Sequence, residues 1–170
     1  MRVCASEEIE QRFSAANTQA QNGISERLMK TLTDNAAAML HEAVLDHRWW
    51  SLAIKHAVWI RNRLPHRSLK LARVSQSPYE KLYGRPAKLS MVRVFGCDSW
   101  RFNFDRQKAD ITEPKGIKGV FVGVSPNCKG WMIFDPKSKS IRTSYHCSFN
   151  EDFYWFQDEN QEGKALKGAS

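Results

Sequence analysis

The sequence predicts an α+β protein, with helices first and strands second. Three observations carry this. Apolar residues recur at helical spacing from Ile24 to Leu64. From Val92 the period shortens to two, and a series of short strands joined by tight turns follows. Pro65 and a basic, weakly periodic stretch separate the two regimes. At 170 residues and 42% hydrophobic, the chain can bury one modest core or two small ones.

The elements follow in order. Residues 1–22 are polar and mixed: Glu7-Glu8-Ile9-Glu10 suits a short helix, and Phe13 to Gln21 reads as loop. Asn22 is a plausible N-cap and Gly23 permits a tight entry. A helix is expected from about Ile24 to Leu45, with Leu28, Met29, Leu32, Ala36, Met39, Leu40 and Ala43 forming its buried stripe. Asp46 opens a second helix, from about His47 to Leu64, which buries Trp50, Ala53, Ile54, Ala57, Ile60 and Leu64. Ser77-Pro78 starts a short helix that ends at Gly84. Strands are expected over Val92–Phe95, Ser99–Phe104, Gly119–Val124 (with a glycine bulge), Trp131–Phe134, Ile141–Tyr145 and Cys147–Phe149. Such a set suggests a small curled sheet or barrel. Beyond Gln157 the chain reads as a disordered tail.

The net charge is +8, and its placement says more than its size. Residues 46–149 hold 20 Lys and Arg against 7 Asp and Glu, whereas the two ends together are acidic. A basic middle suits a polyanion, with nucleic acid first, or else is a solvated surface. No apolar run is long enough for a membrane span and no signal-peptide pattern opens the chain, so a soluble, intracellular protein of nucleus or cytoplasm is expected. Cys4, Cys97, Cys128 and Cys147 lack zinc-site spacing and read as buried free thiols.

Glu26 is the leading chemical candidate. It stands on the first turn of the first helix, where its position is well fixed. A carboxylate there serves a divalent metal for phosphoryl transfer, provided other carboxylates meet it. A lone glutamate at a helix start ordinarily just complements the dipole. Lys30, one turn on, is placed either to touch a phosphate or to pair with Glu26. Trp59 with Arg48, Lys55 and Arg63 makes a basic, aromatic helix face suited to stacking on nucleic acid, or else Trp59 is covered by a neighbouring segment. Lys115, Lys118, Lys129, Lys137, Lys139 and Arg142 are candidates for a backbone-binding rim on the β unit. Trp131 is expected to pack in the core. No Gly-x-Ser-x-Gly elbow, HExxH pair or Gly-rich phosphate loop occurs.

Together these segments resemble the integrase region of copia-type retrotransposon Pol polyproteins. Ser14-Ala15-Ala16-Asn17-Thr18-Gln19-Ala20-Gln21-Asn22-Gly23-Ile24-Ser25-Glu26-Arg27 is similar to the family's S-x-P-Y-T-P-Q-Q-N-G-x-x-E-R. Trp49-Trp50 through Asn62-Arg63-Leu64-Pro65 resembles its W…N-R-L-P helix, Ser77-Pro78-Tyr79-Glu80 its T-P-Y-E step and Arg93-Val94-Phe95-Gly96-Cys97 its R-V-F-G-C. Gly119-Val120-Phe121-Val122-Gly123-Val124-Ser125, Lys129-Gly130-Trp131 and Phe134-Asp135-Pro136 resemble the G-x-F-V-G-Y-S, K-G-Y and Y-D-P steps of its β module. The resemblance runs from about Ser14 to Glu151.

It implies C-terminal helices of an RNase H-like integrase core over residues 1–65, a linker with a short helix over 66–91, an SH3-like barrel of retroviral-polymerase type over 92–155, and a tail over 156–170. It implies strand transfer of DNA, with Mg²⁺ or Mn²⁺ held by two aspartates and a glutamate, and other integrase subunits as partners. Glu26 matches that glutamate. The aspartates fall upstream of Met1, and Asn17, Gln19 and Ala20 depart from the motif. The expectation is therefore a truncated integrase fragment that associates with DNA, binds no metal stably and does not catalyse alone. Two alternatives stand beside it: a domesticated SH3-like binding module, and an active enzyme completed by a partner chain.

Overall fold

The computed structural model describes residues 23–66, 69–71, 74–103 and 115–156. The expectations for residues 1–22, for Phe104 and for the tail from 157 lie outside the described residues.

Helix α1 spans Gly23–Glu42. It packs through its second half only: Leu32, Ala36, Leu40 and Ala43 are buried, while Leu28 and Met29, expected in the same stripe, are 37% and 57% exposed. Val44 at positive φ turns the chain, and Leu45 N–H bonds back to the Leu40 carbonyl. The expected second helix begins as a 3-10 turn over His47–Trp49, capped by Asp46, whose carboxylate accepts from Arg48 N–H at 2.9 Å. Helix α2 proper spans Trp50–Arg61. Its buried residues are Ala53, His56 and Ala57, and Trp50 and Leu64, expected inside, are 38% and 48% exposed. Alanines on both helices let their backbones approach, so the covered strip is narrower than the apolar stripe and the bulky residues at its margins stay outside.

A two-residue ladder joins β1 (Lys70–Leu71) to β2 (Val74–Ser75). Helix α3 spans Pro78–Tyr83, as its sequence signals require: Ser77 Oγ accepts from Glu80 N–H, Pro78 opens the first turn, and Gly84 at φ +66° closes the last. Tyr79 N–H donates to the Asn62 carbonyl and ties α3 to the end of α2.

The expected strand over Val92–Phe95 does not form. That segment follows a 3-10 turn at Leu89–Met91 and enters a turn at Phe95-Gly96. The reason is contact with the helices. Gly96, at φ +83°, lies so close to α1 that an added Cβ would stand 2.2 Å from that of Ala43.

Five antiparallel strands follow: β3 (Cys97–Phe102), β4 (Gly116–Val124), β5 (Trp131–Asp135), β6 (Ser140–Ser144) and β7 (Cys147–Tyr154). Their order in the sheet is β6-β5-β4-β3-β7. The expected bulge sits between Phe121 and Gly123. Strand β7 runs five residues further than the sequence suggested, because β3 pairs with it as far as Tyr154.

Alternation along β4 divides the interior into two layers. Val120 and Val122 face the helices and pack with Ala36, Leu40, Ala53 and Phe95. Phe121 joins a second cluster with Ile133, Cys97 and Phe149, and its ring also meets that of His56 on α2 edge-on. The helical hairpin thus covers one face of the sheet, and Trp49 meets Phe134 edge-on at 4.6 Å between centroids. Among the described residues no helix is long and apolar enough to cross a membrane.

Candidate functional site

Glu26 is exposed on the first turn of α1 and Lys30 is exposed one turn later. Among the described residues no ion pair joins them, and no group of three His, Cys, Asp or Glu side chains is placed to hold a metal ion. A single carboxylate on an open helix face does not fit a Mg²⁺ or Mn²⁺ site, which takes its oxygens from several converging ligands.

The cations expected on the second helix do not converge. Arg48 turns back onto Asp46, Nη2 to Oδ2 at 2.6 Å, and this bond holds the Asp46 carboxyl below its ordinary range. Lys55 is exposed. Arg63 lies over the Trp59 ring at 3.8 Å and the Tyr79 ring at 4.9 Å, and donates to the Trp59 carbonyl. Burial pushes its pKa down. The guanidinium itself covers the face of Trp59 that the sequence offered for base stacking.

On the β unit Lys118 is anchored. Its ammonium pairs with Asp98 at 2.7 Å and lies over the Trp155 ring at 4.5 Å. Asp98 is 3% exposed, and its Oδ1 has no hydrogen-bond partner. Lys129 is exposed in the β4–β5 loop. Trp131 is half-buried, as expected of a packing residue, and donates from Nε1 to the Met91 carbonyl at 3.0 Å.

The thiols are poor nucleophiles where they are covered. Burial, helped by Glu151 and Asp98, pushes the Cys97 thiol up to about 12. Burial also raises Cys147. Cys128, expected inside, is exposed in the loop, its Sγ 3.3 Å from Ser125 Oγ. Cys4 lies outside the described residues.

A feature the sequence did not single out is a cleft of about 410 Å³ where β3, β4 and β7 end together. Trp100, Phe102, Lys115, Gly116, Arg101 and His146 line it. Backbone bonds fix its floor: Phe102 N–H donates to the His146 carbonyl and Asn103 N–H to the Lys115 carbonyl, both at 3.0 Å. Trp100 and Phe102 lie on one face of β3, opposite Lys118 and Gly116 in register. Gly116 stands opposite Phe102, whose ring is 45% exposed. Lys115 is exposed, and Arg101 shares its charge with Asp135 at 3.8 Å. The available signal was a two-residue alternation of aromatic rings opposite a glycine, which in sequence resembles ordinary core.

This arrangement can be set against known proteins. The retroviral polymerase SH3-like domain family matches residues 101–163, which take in most of the sheet and the cleft. The retrovirus-related Pol polyprotein from transposon RE2 of Arabidopsis thaliana is 30% identical over 149 residues, covering 86% of this chain and 10% of its own length. The chain is homologous to copia-type Pol polyproteins. The Pol polyprotein from transposon RE1 of the same plant is 29% identical over 147 residues (85% of this chain, 10% of the relative), and that from transposon TNT 1-94 of Nicotiana tabacum is 27% identical over 148 (87% and 11%). The chain therefore spans about a tenth of the length of the curated Pol polyproteins it matches. No solved structure matches it. The similarity to Pol polyproteins reaches over the helices as well as the SH3-like domain.

Proposed function

We propose that this chain is the integrase region of a copia-type Pol polyprotein, from the last helices of an RNase H-like core through the SH3-like domain, and that it binds nucleic acid during DNA integration. The observation that carries the reading is the aromatic cleft at the strand ends beside exposed Lys115, set in a segment with 20 basic and 7 acidic residues. Homology to Pol polyproteins across both units supports it. Lys30, Lys55, Lys115 and Lys129 are exposed and serve as phosphate contacts. Arg48, Arg63 and Lys118 act mainly within the fold, since each is already engaged by a carboxylate or a ring.

Catalysis by this chain alone is not part of the proposal. Two-metal phosphoryl transfer needs converging carboxylates, and Glu26 stands apart from other acidic groups among the described residues. Carboxylates from another segment or another integrase subunit would have to join it, and no step is derived through the metal.

The test is binding of labelled DNA across a salt series. Affinity is expected to fall steeply as salt rises, and Lys129→Ala is expected to reduce the slope by about one. Binding that ignores salt would overturn the proposal and favour a protein-binding module. Incubated with oligonucleotides and Mg²⁺, the chain is expected to join nothing. Joining that disappears in Glu26→Gln would instead make it a complete enzyme.

A further inference from the structure

The segment from the end of α2 to the start of the sheet is the most basic part of the chain. Residues 61–93 hold nine Lys and Arg against one acidic residue, nearly half of the 20 basic residues between 46 and 149. We infer that α3 and the turn after it form a platform for single-stranded nucleic acid, with a base stacked on Tyr83 and the adjoining phosphate on Arg85. The inference rests on the nucleic-acid reading above and names the form of nucleic acid and the residues that hold it.

Three observations lead there. The first is a column of flat groups. His56 lies beside Trp59 at 6.2 Å with the rings nearly parallel, Arg63 lies over Trp59 at 3.8 Å and over Tyr79 at 4.9 Å, and Tyr79 meets Tyr83 at 4.6 Å. The column starts at a buried ring and ends at Tyr83, which is 58% exposed, so a further flat group would extend it there. The second is a fixed base for that ring. Tyr79 N–H donates to the Asn62 carbonyl at 2.8 Å, Ser77 Oγ caps the first turn of α3, and Gly84 at φ +66° closes the last. A ring on a backbone held in this way loses little freedom when something stacks on it. The third is charge beside the ring. Arg85 is exposed, and its Cα lies within about 7 Å of that of Tyr83, across Gly84. Lys81 and Lys88 are exposed as well. Leu82 and Leu89, 75% and 50% exposed, would suit a protein partner, but nine basic residues against one acidic favour a polyanion. A duplex keeps its bases stacked on one another and can use only the cations, whereas a single strand uses the ring too.

The test is fluorescence anisotropy of the full chain with a labelled oligothymidylate of about 12 nucleotides and with a duplex of equal length, together with photocrosslinking of a bromodeoxyuridine-substituted strand to locate the contact. The crosslink is expected on Tyr83. Tyr83→Ala should weaken single-strand binding about tenfold and leave duplex binding unchanged, and Tyr83→Trp should retain it. Arg85→Ala should weaken both ligands and lower the salt slope by about one. Circular dichroism checks that the variants fold. Salt-dependent single-strand binding that is unchanged in Tyr83→Ala overturns the platform and leaves the nucleic-acid reading standing. Binding of both DNAs without salt dependence overturns that reading and the platform with it. Self-association that Leu82→Asp abolishes, with oligonucleotide binding untouched by Tyr83→Ala, gives the patch to a second copy of the chain instead.

Discussion

Acidification is expected to weaken this fold through one ring, that of His56. It is 2% exposed, wedged between α2 and the sheet, with ring centroids 5.7 Å from Phe95 and 5.3 Å from Phe121. Its Nε2 bonds the Arg93 carbonyl at 3.3 Å, and Nδ1 has no partner. Burial pushes its pKa down from 6.5 to about 4, only partly opposed by the Arg93 carbonyl. The folded state therefore holds the ring neutral at pH values where the unfolded chain takes up a proton. The contribution is whole above about pH 6.5 and is lost as pH falls toward 4. At about 1.4 kcal/mol for each pH unit between the two values, the loss amounts to about 3 kcal/mol, a large share of the stability of a small domain. Urea denaturation at steps from pH 7 to pH 4 measures it, with His56→Phe as the control that cannot titrate. The wild type should lose about 3 kcal/mol more than the variant over that range. Equal slopes, or a folded-state His56 resonance titrating near 6.5, would refute the reasoning.

Two further substitutions test the packing. Gly119→Ala places a methyl 2.6 Å from both Ile133 Cγ2 and the Phe134 carbonyl oxygen, inside the sheet where neither can retreat. It should cost about 3 kcal/mol, read as a drop in the urea midpoint, and an unchanged midpoint would mean that β4 and β5 are more loosely joined than described. Lys118→Met removes the partner of the buried Asp98 carboxylate. Because the lysine is itself 39% exposed, the expected loss is about 2 kcal/mol rather than the larger cost of breaking a fully buried pair. Adding Asp98→Asn should restore part of it, and thermal denaturation of the single and double variants decides.

Much of the fold was legible because local signals and tertiary packing agreed. Ser77, Pro78 and Gly84 mark both ends of α3 through capping chemistry that acts within one turn. The alternation of Val120, Phe121 and Val122 marked β4, and Gly123 its bulge. Where the two disagreed, packing prevailed. Val92–Phe95 alternates like a strand, but its end is claimed by the helices. The burial of His56 is not legible in the sequence, since nothing in periodicity shows that a ring nitrogen will meet a carbonyl 37 residues away. The site was less legible for the same reason. Arg63 and Lys118 were visible as cations, and Trp59 lies only four residues before Arg63, whereas Tyr79 over Arg63 and Trp155 over Lys118 are brought in by tertiary structure. The cleft gathers residues from the ends of β3, β4 and β7, which only strand register brings together.

The contact of Gly96 with Ala43 bears on how the segment can be divided. Family boundaries starting at residue 101 invite excision of the SH3-like part as a portable cassette. Cut there, it would lose the first four residues of β3 and the helices that cover Val120 and Val122, leaving a greasy flank facing water. Such a cassette should clump at low concentration, whereas the piece retaining residues from Gly23 onward stays dispersed. The unit that natural recombination can move intact is thus larger than the family outline.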